Sequence, residues 1–339
     1  MLKKETPPKF QFKALNLNKM ASGLIFKLNN VLKLCIILLC LISIAGCRSE
    51  IKQAMLKRAI PTDYFEPFAK LPPKFVKHSE RVFSFRVGMS RSMVLKTNDG
   101  LAVFDCFDNH FSSLLSKELK VRFPGVPIRW LVYTHNHLDH IRGGKALNPE
   151  NVIGHEDVNR IVADFKHPLN NVLQVTKPVS GDTVLTLGGI DVQMLYMPMS
   201  HSTTLYGIYI PGEDTIFAAD MMFVKAMPPF GLPDWYYPGY IRALDRLIDL
   251  KAKTYIPSHF TLGKRNDLVD YRNMMVDYRK VVVRELAKFN FKLEGGEQMR
   301  KIFDIAYPEL KEKFGKWHGF DAMFIPHFVG QVGAEFLGF

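Results

Sequence analysis

The chain has 339 residues, 47% of them hydrophobic and 23% charged. That balance excludes disorder as the main state and allows one large domain with a modest appendage. The formal net charge is +12, but half of it comes from residues 1–47, which hold seven lysines and one acid. No basic stretch carries interleaved aromatics, so nucleic acid is not an expected partner.

Residues 34–45, LCIILLCLISIA, carry no charge. They are short for a bilayer span and right for the apolar core of an export signal, with Lys27 and Lys33 ahead of it. The run Ile44-Ala45-Gly46-Cys47 resembles a bacterial lipobox. That resemblance implies a signal over 1–47, lipidation of Cys47, and a mature chain that begins there. Counted from Met20, the signal has 27 residues up to Gly46, the ordinary span for such a leader. An uncleaved membrane anchor is the alternative. Both readings place the body of the protein on a membrane in the bacterial cell envelope, at the outer membrane or the periplasmic face. Of the four cysteines, only Cys106 lies beyond the signal, so the mature chain has no intramolecular disulfide. Cys106 reads as a small buried residue at a strand end.

Residues 48–80, with Pro61, Pro67, Pro72 and Pro73, read as an irregular tether. Strands are then expected at 82–87, 92–97 and 101–106, with TNDG (97–100) turning the second into the third. Helical spacing covers 110–122, and IRWLVYT (128–134) is a buried strand. A short helix is expected over 155–166. The second half continues the alternation, with strands at 183–187, 190–196, 204–210 and 215–219, a helix over 239–250, and a strand at 254–258. This order predicts an α/β fold of packed sheets with helices outside. Amphipathic helices over 266–289 and 296–314, and an apolar tail at 320–339, form a C-terminal extension (265–339) packed on the body.

The strand at 128–134 runs directly into HNHLDH, residues 135–140. A turn after a buried strand has a fixed backbone, so its side chains can converge on one point. His135 and His137, two apart, can share one ion, while Asp139 and His140 can face a second. Imidazole with carboxylate suits zinc first, with manganese and iron as alternatives.

His135-x-His137-x-Asp139-His140 resembles the signature of the metallo-β-lactamase fold superfamily. The resemblance extends over roughly 80–262 through His201 in MPMSHS, Asp220 in IFAAD and His259 in YIPSHF. It implies an αββα sandwich over 81–264 with two divalent metal ions at one sheet edge. In the family's pattern His135, His137 and His201 hold the first ion and Asp139, His140 and His259 the second. Asp220 bridges them, a shared hydroxide is the nucleophile, and Asp139 can also orient it as a catalytic residue. Asp105 stands where the family often has a carboxylate that hydrogen-bonds a ligand histidine. His110 and His155 read as surface or supporting groups.

Asp220 bears on the reaction. The bridging carboxylate is generally absent from the family's zinc β-lactamases and usual in its thioesterases, lactonases and phosphodiesterases. Phe223 stands where the lactonases often have a tyrosine. The expected activity is therefore hydrolysis of an ester-like bond in a lactone, a thioester, a sulfate or phosphate ester, or, less in keeping with Asp220, a β-lactam. The segment MPPFGLPDWYYPGY (227–240) follows the bridging carboxylate. Its Phe230, Trp235, Tyr236 and Tyr237 are candidates for the wall of a pocket that takes a small molecule with an apolar portion. Packing beneath the helix is the other reading of that segment. Two other classes stay open: an iron oxidoreductase of the sulfur-dioxygenase type, and an envelope lipoprotein that binds without catalysis.

Overall fold

In the computed structural model, residues 62–165, 171–229, 235–290 and 295–338 are described. The expected signal, Cys47, the first part of the tether and Phe230 lie outside them.

Seven strands form the first sheet, in the order β1 (Lys74–Lys77), β2 (Val82–Val87), β3 (Ser90–Lys96), β4 (Leu101–Phe104), β5 (Ile128–Val132), β6 (Asn151–His155) and β7 (Lys177–Val179). The first four pair antiparallel; from β4 onward the pairing is parallel. Helix α1 (Thr62–Ala69) precedes the sheet. Helices α2 (Asn109–Arg122), α3 (Leu138–Ile141), α4 (Gly144–Leu147) and α5 (Val158–Phe165) fill the connections between β4 and β7. The second sheet contains β8 (Thr183–Leu187), β9 (Ile190–Tyr196), β10 (Tyr206–Ile210), β11 (Thr215–Ala218) and β12 (Thr254–Pro257), in the order β12-β11-β10-β9-β8. Helix α6 (Tyr237–Asp249) joins its one parallel pair, β11 and β12. Parallel neighbours need such a crossover. Helices α7 (Arg265–Ala287), α8 (Gly296–Phe314) and α9 (Phe320–Leu337) complete the chain.

Strand alternation explains the layers. On β4, Ala102 and Phe104 share a core with Val192, Met194, Ile208 and Phe217 of the second sheet, so the two sheets face one another. Leu101 and Val103 point the other way, toward Phe111, Leu115 and Leu119 of α2. On β11, Phe217 points inward, while Ile216 and Ala218 pack with Leu244 and Leu247 of α6. A period of two thus gives each strand one face for the partner sheet and one for helices. The result is the αββα arrangement expected from the sequence.

The extension behaves as its pattern predicts. Leu268, Tyr271, Met275, Tyr278, Val282 and Leu286 are all buried on α7, at the three- and four-residue spacing of one helix face. The apolar tail is α9, which packs on α7, where the Tyr278 hydroxyl donates to the Phe324 carbonyl at 3.0 Å, and on the body, where the His327 ring bonds the Pro228 carbonyl. No helix among the described residues is long and apolar enough to cross a membrane.

One expectation fails. Residues 62–80 are not an irregular tether but carry α1 and β1. The prolines hid two structural anchors. Tyr64 of α1 is buried between the body and the extension, its hydroxyl donating to the Met227 carbonyl and its ring 5.0 Å from that of His318. Strand β1 extends the first sheet with Phe75 opposite Phe85.

Candidate metal centre

Loops at the ends of β4, β5, β9, β11 and β12 carry the polar residues that meet at one edge of the sandwich. β5 leads into Thr134 and His135. His137 precedes α3, a single turn that holds Asp139 and His140. The His140 carbonyl accepts from the amides of both Cys106 and Phe107, at 2.8 and 2.9 Å. This ties the turn to the end of β4. Gly143 makes that contact possible: a Cβ there would sit 2.3 Å from the Cys106 carbonyl and 2.4 Å from Ser112 Oγ.

The carboxylate of Asp220 lies at the centre. Its Oδ2 is 3.1 Å from His140 Nε2, 3.1 Å from His201 Nε2 and 3.6 Å from His135 Nε2. Its Oδ1 is 3.1 Å from His259 Nε2. The His140 and His259 Nε2 atoms are 3.2 Å apart, and the His137 ring is 4.5 Å from those of both His135 and His201. Two groups emerge whose ligand atoms lie within 4.8 Å of one another: His135, His137, His201 with Asp220, and Asp139, His140 with His259. These are the two sets expected from the motif, and Asp220 touches both. A third grouping, Asp105 with His135 and His140, differs in kind, because Asp105 already has three hydrogen bonds.

Those bonds fix the imidazole tautomers. The Thr134 amide donates to Asp105 Oδ1 at 2.9 Å, and the Thr134 hydroxyl donates to Oδ2 at 2.8 Å. That hydroxyl has one proton, so its 2.9 Å contact with His135 Nδ1 is one in which Nδ1–H donates. His140 Nδ1 donates to Asp105 Oδ2 at 2.9 Å. Both rings therefore use Nδ1 for these bonds and leave Nε2, the atom that faces Asp220, as the one that can bind a metal ion, as ligand histidines anchored through their other nitrogen do. Asp105 thus fills the supporting role expected for it. His155 stacks on Tyr196, away from this cluster.

The arrangement fits divalent metal ions. His135 Nε2, both nitrogens of His201 and His259 Nδ1 are buried without a hydrogen-bond partner. His201 Nε2 is close to Asp220 yet outside hydrogen-bonding angles. Such atoms are costly unless something coordinates them. Ligand atoms about 2.0–2.1 Å from a tetrahedral ion lie roughly 3.3 Å from each other, and the separations about Asp220 bracket that value. Burial, with His140 and His137 beside it, pushes the pKa of His135 well below that of an ordinary imidazole. Burial also works against charge on Asp220, but His140 and His259 outweigh it and hold the carboxyl well below its usual range.

A family model of the metallo-β-lactamase superfamily matches residues 85–259, from β2 to the last histidine of the cluster. The chain belongs to the metallo-β-lactamase superfamily. A curated relative, the 2,4-dinitroanisole O-demethylase subunit alpha of Nocardioides sp. strain JS1661, is 26% identical over 197 residues. That match covers 56% of this chain and 59% of the relative, so the chain spans less than two thirds of that protein. A metallo-β-lactamase from Pontibacter korlensis has 19% identity and a TM-score of 0.52, over 60% of this chain and 99% of that one. A double mutant of a sec-alkyl sulfatase has 16% identity and a TM-score of 0.60, over 79% of this chain and 50% of that one. At these identities the solved structures establish the shared superfamily fold.

The aromatic candidates separate. Trp235 is buried with its edge against the His201 ring, 5.2 Å between centroids, and packs 3.8 Å from the Tyr240 ring. Tyr236 caps the start of α6, its amide donating to the Ser200 carbonyl beside His201 at 2.8 Å. Tyr237 departs from its expected place in a pocket wall. Its hydroxyl donates to the Met275 carbonyl at 2.9 Å, and its buried ring packs between α6 and α7. One residue further along the helix has turned the side chain into the core.

Sequence reasoning missed several supporting residues. Ser258 donates to Asp220 Oδ1 at 2.7 Å and accepts from the Asp220 amide at 3.0 Å. Tyr240 donates to the Asp220 carbonyl at 2.9 Å. Because that bond uses its one proton, the 3.2 Å contact between Tyr240 and Tyr271 has Tyr271 as donor. Asp220 itself is left-handed, φ 53°, and these bonds hold its backbone there.

Proposed function

We propose that the chain is a dinuclear metal-dependent hydrolase that cleaves an ester-like bond in a small molecule with an apolar portion. The observation that carries this reading is Asp220, whose two oxygens lie 3.1 Å from histidines of both ligand groups. A carboxylate so placed is a bridge, which favours lactones, thioesters and sulfate or phosphate esters over β-lactams. His135, His137 and His201 would hold one ion and Asp139, His140 and His259 the other, with zinc first by donor set. When bound, two such ions supply a water that ionises near neutral pH and polarise the oxygen of the scissile bond.

The chain's own residues do the rest. Asp139 is the exposed carboxylate of the cluster, with 60% of its side chain accessible. Its free oxygen can accept a hydrogen bond from the attacking water and orient it. Asp105 and Thr134 hold His135 and His140 so that neither ring turns. Trp235 covers the flank of His201 and keeps water from that side. With Tyr236 it forms the apolar wall we assign to the substrate. The names of two relatives, a sec-alkyl sulfatase and a 2,4-dinitroanisole O-demethylase subunit, support a substrate with an alkyl or aryl portion. They make alkyl sulfates and aryl ethers worth adding to the first probes.

A single-iron oxidoreductase would leave the group of Asp139, His140 and His259 without a task. Elemental analysis of the full chain, purified in detergent without chelator, decides between the readings. About two zinc or manganese per chain supports the hydrolase. One iron supports the oxidoreductase, and no uptake even with excess zinc supports a binding protein. We also propose that lipidated Cys47 tethers the chain to the bacterial envelope, from the apolar run and lipobox-like residues of 34–47. Palmitate labelling of cells should mark the wild type and not Cys47→Ser; equal labelling refutes it.

A further inference from the structure

We propose that Arg91 is a positioning residue for the His259 side of the metal centre, an inference that rests on the two-ion reading above. Arg91 lies on β3 and is 4% exposed. Its Nη1 donates to the Pro257 carbonyl at 3.0 Å and its Nη2 to the Phe260 carbonyl at 2.7 Å. Its backbone amide donates to the Ser258 carbonyl at 2.6 Å. Three donors of one residue thus bracket His259. The neighbours of Arg91 add to the grip: Ser90 bridges to His259, and the Phe260 amide donates to the Met89 carbonyl at 2.8 Å. The segment at 89–91 belongs to the first sheet, and 257–260 ends the second. Arg91 therefore joins the sheets at the point where the last ligand leaves its strand.

The consequences extend past His259. Ser258, held by Arg91, makes both hydrogen bonds to Asp220 described above, so a shift of 257–260 would move a terminal ligand and the bridging one together. Phe260 is left-handed, φ 58°, a conformation that a non-glycine residue keeps only when its surroundings enforce it. The guanidinium on its carbonyl and the Met89 carbonyl on its amide together supply that enforcement.

Packing alone does not explain this residue. No carboxylate pairs with Arg91 among the described residues, and a buried cation met only by carbonyls is costly. An apolar side chain of similar length would avoid that cost. What it could not do is hold two carbonyls at a fixed separation, which a planar guanidinium does and an ammonium does not.

The test uses the full chain in detergent, stripped of metal and titrated with cobalt(II) against a competing chelator, with the cobalt absorption bands recorded. Arg91→Met and Arg91→Lys are compared with wild type and with Leu115→Ala, a cavity variant in the core under α2. Both Arg91 variants should bind the first ion as wild type does. The second should bind roughly 10–100-fold more weakly, the usual effect of losing a residue that orients a ligand, with altered bands. Leu115→Ala should bind both ions normally despite a lower melting temperature. Arg91→Lys keeps the charge and one donor, and it carries the test if the Met variant fails to fold. Wild-type affinity for the second ion in the Arg91 variants would overturn the proposal. So would a loss in Leu115→Ala that scales with its melting temperature in the same way. A wild-type chain that binds one ion would instead overturn the two-ion reading, and this proposal with it.

Discussion

Replacing Asp105 with asparagine tests the tautomer argument at the centre of the site. Asp105 is fully buried and accepts from the Thr134 amide, the Thr134 hydroxyl and His140 Nδ1. An asparagine fits the same space but has one acceptor oxygen. The Thr134 amide can only donate, so that oxygen stays with it. The new amide nitrogen then faces the Thr134 hydroxyl and His140 Nδ1. His140 must turn its Nδ1 lone pair toward that nitrogen and carry its proton on Nε2, the atom 3.1 Å from Asp220 and 3.2 Å from His259. A protonated Nε2 cannot bind a metal ion. Weakening two charge-assisted bonds should lower stability by about 2–4 kcal/mol. Affinity at the group of Asp139, His140 and His259 should fall roughly 10–100-fold. Zinc titration calorimetry of the stripped protein with a competing chelator measures this, and near-ultraviolet circular dichroism checks the fold. A folded variant that binds two zinc ions with wild-type constants would refute the reasoning.

Three further predictions concern the supports of the site and the fold. In Gly239→Ala the new Cβ would lie 1.8 Å from the Met199 carbonyl oxygen, forcing α6 away from the His201 loop. We expect a cost of at least about 1–3 kcal/mol in thermal melts and reduced zinc content; a normal melt and content would show that the contact is not needed. Tyr240→Phe leaves the buried Asp220 carbonyl without its hydroxyl donor and should cost about 1–3 kcal/mol in urea unfolding, against about 1 for Tyr271→Phe; the reverse order would contradict the assigned donor direction. Burial, against a bond to the Pro228 carbonyl, lowers the pKa of His327 to about 4 from an ordinary 6.5. Its contribution is therefore complete above pH 6.5 and is lost progressively as the pH falls from 6.5 to 4. Wild type should lose roughly 2–3 kcal/mol more than His327→Gln between pH 7 and 4.5, and equal urea midpoint shifts would exclude His327 as the cause.

How much of this was legible in the sequence depends on how far each signal reaches along the chain. The strand that ends in HNHLDH, the strands that end at Asp220 and His259, and the helices of the extension all showed as local periodicity. The seven ligand-type residues were legible because four follow one strand, β5, and the other three each follow a strand of their own. Strand β1 was not, because its four residues acquire meaning only by pairing with β2, and prolines directly precede it. Tyr237 was misplaced for a related reason: neighbouring Trp235, Tyr236 and Tyr237 look alike in a loop, but the first turn of α6 sends them in different directions. Nothing local marks Arg91, since the carbonyls it holds lie 166 and 169 residues away.

The same distinction orders the site itself. The candidate ligands come from segments that the motif identifies, whereas some of the groups that aim them come from elsewhere. Arg91 reaches across from the opposite sheet, and Tyr271 reaches in from the C-terminal extension to the hydroxyl that holds Asp220. Beyond residue 259, where the superfamily match ends, the chain therefore still bears on the candidate metal centre. A catalytic domain cut at residue 264 would keep every ligand and lose Tyr271, together with the α7 face on which Tyr237 and Phe223 pack. The extension is thus a structural part of the site, since removing it uncovers Tyr240, whose hydroxyl holds the Asp220 backbone.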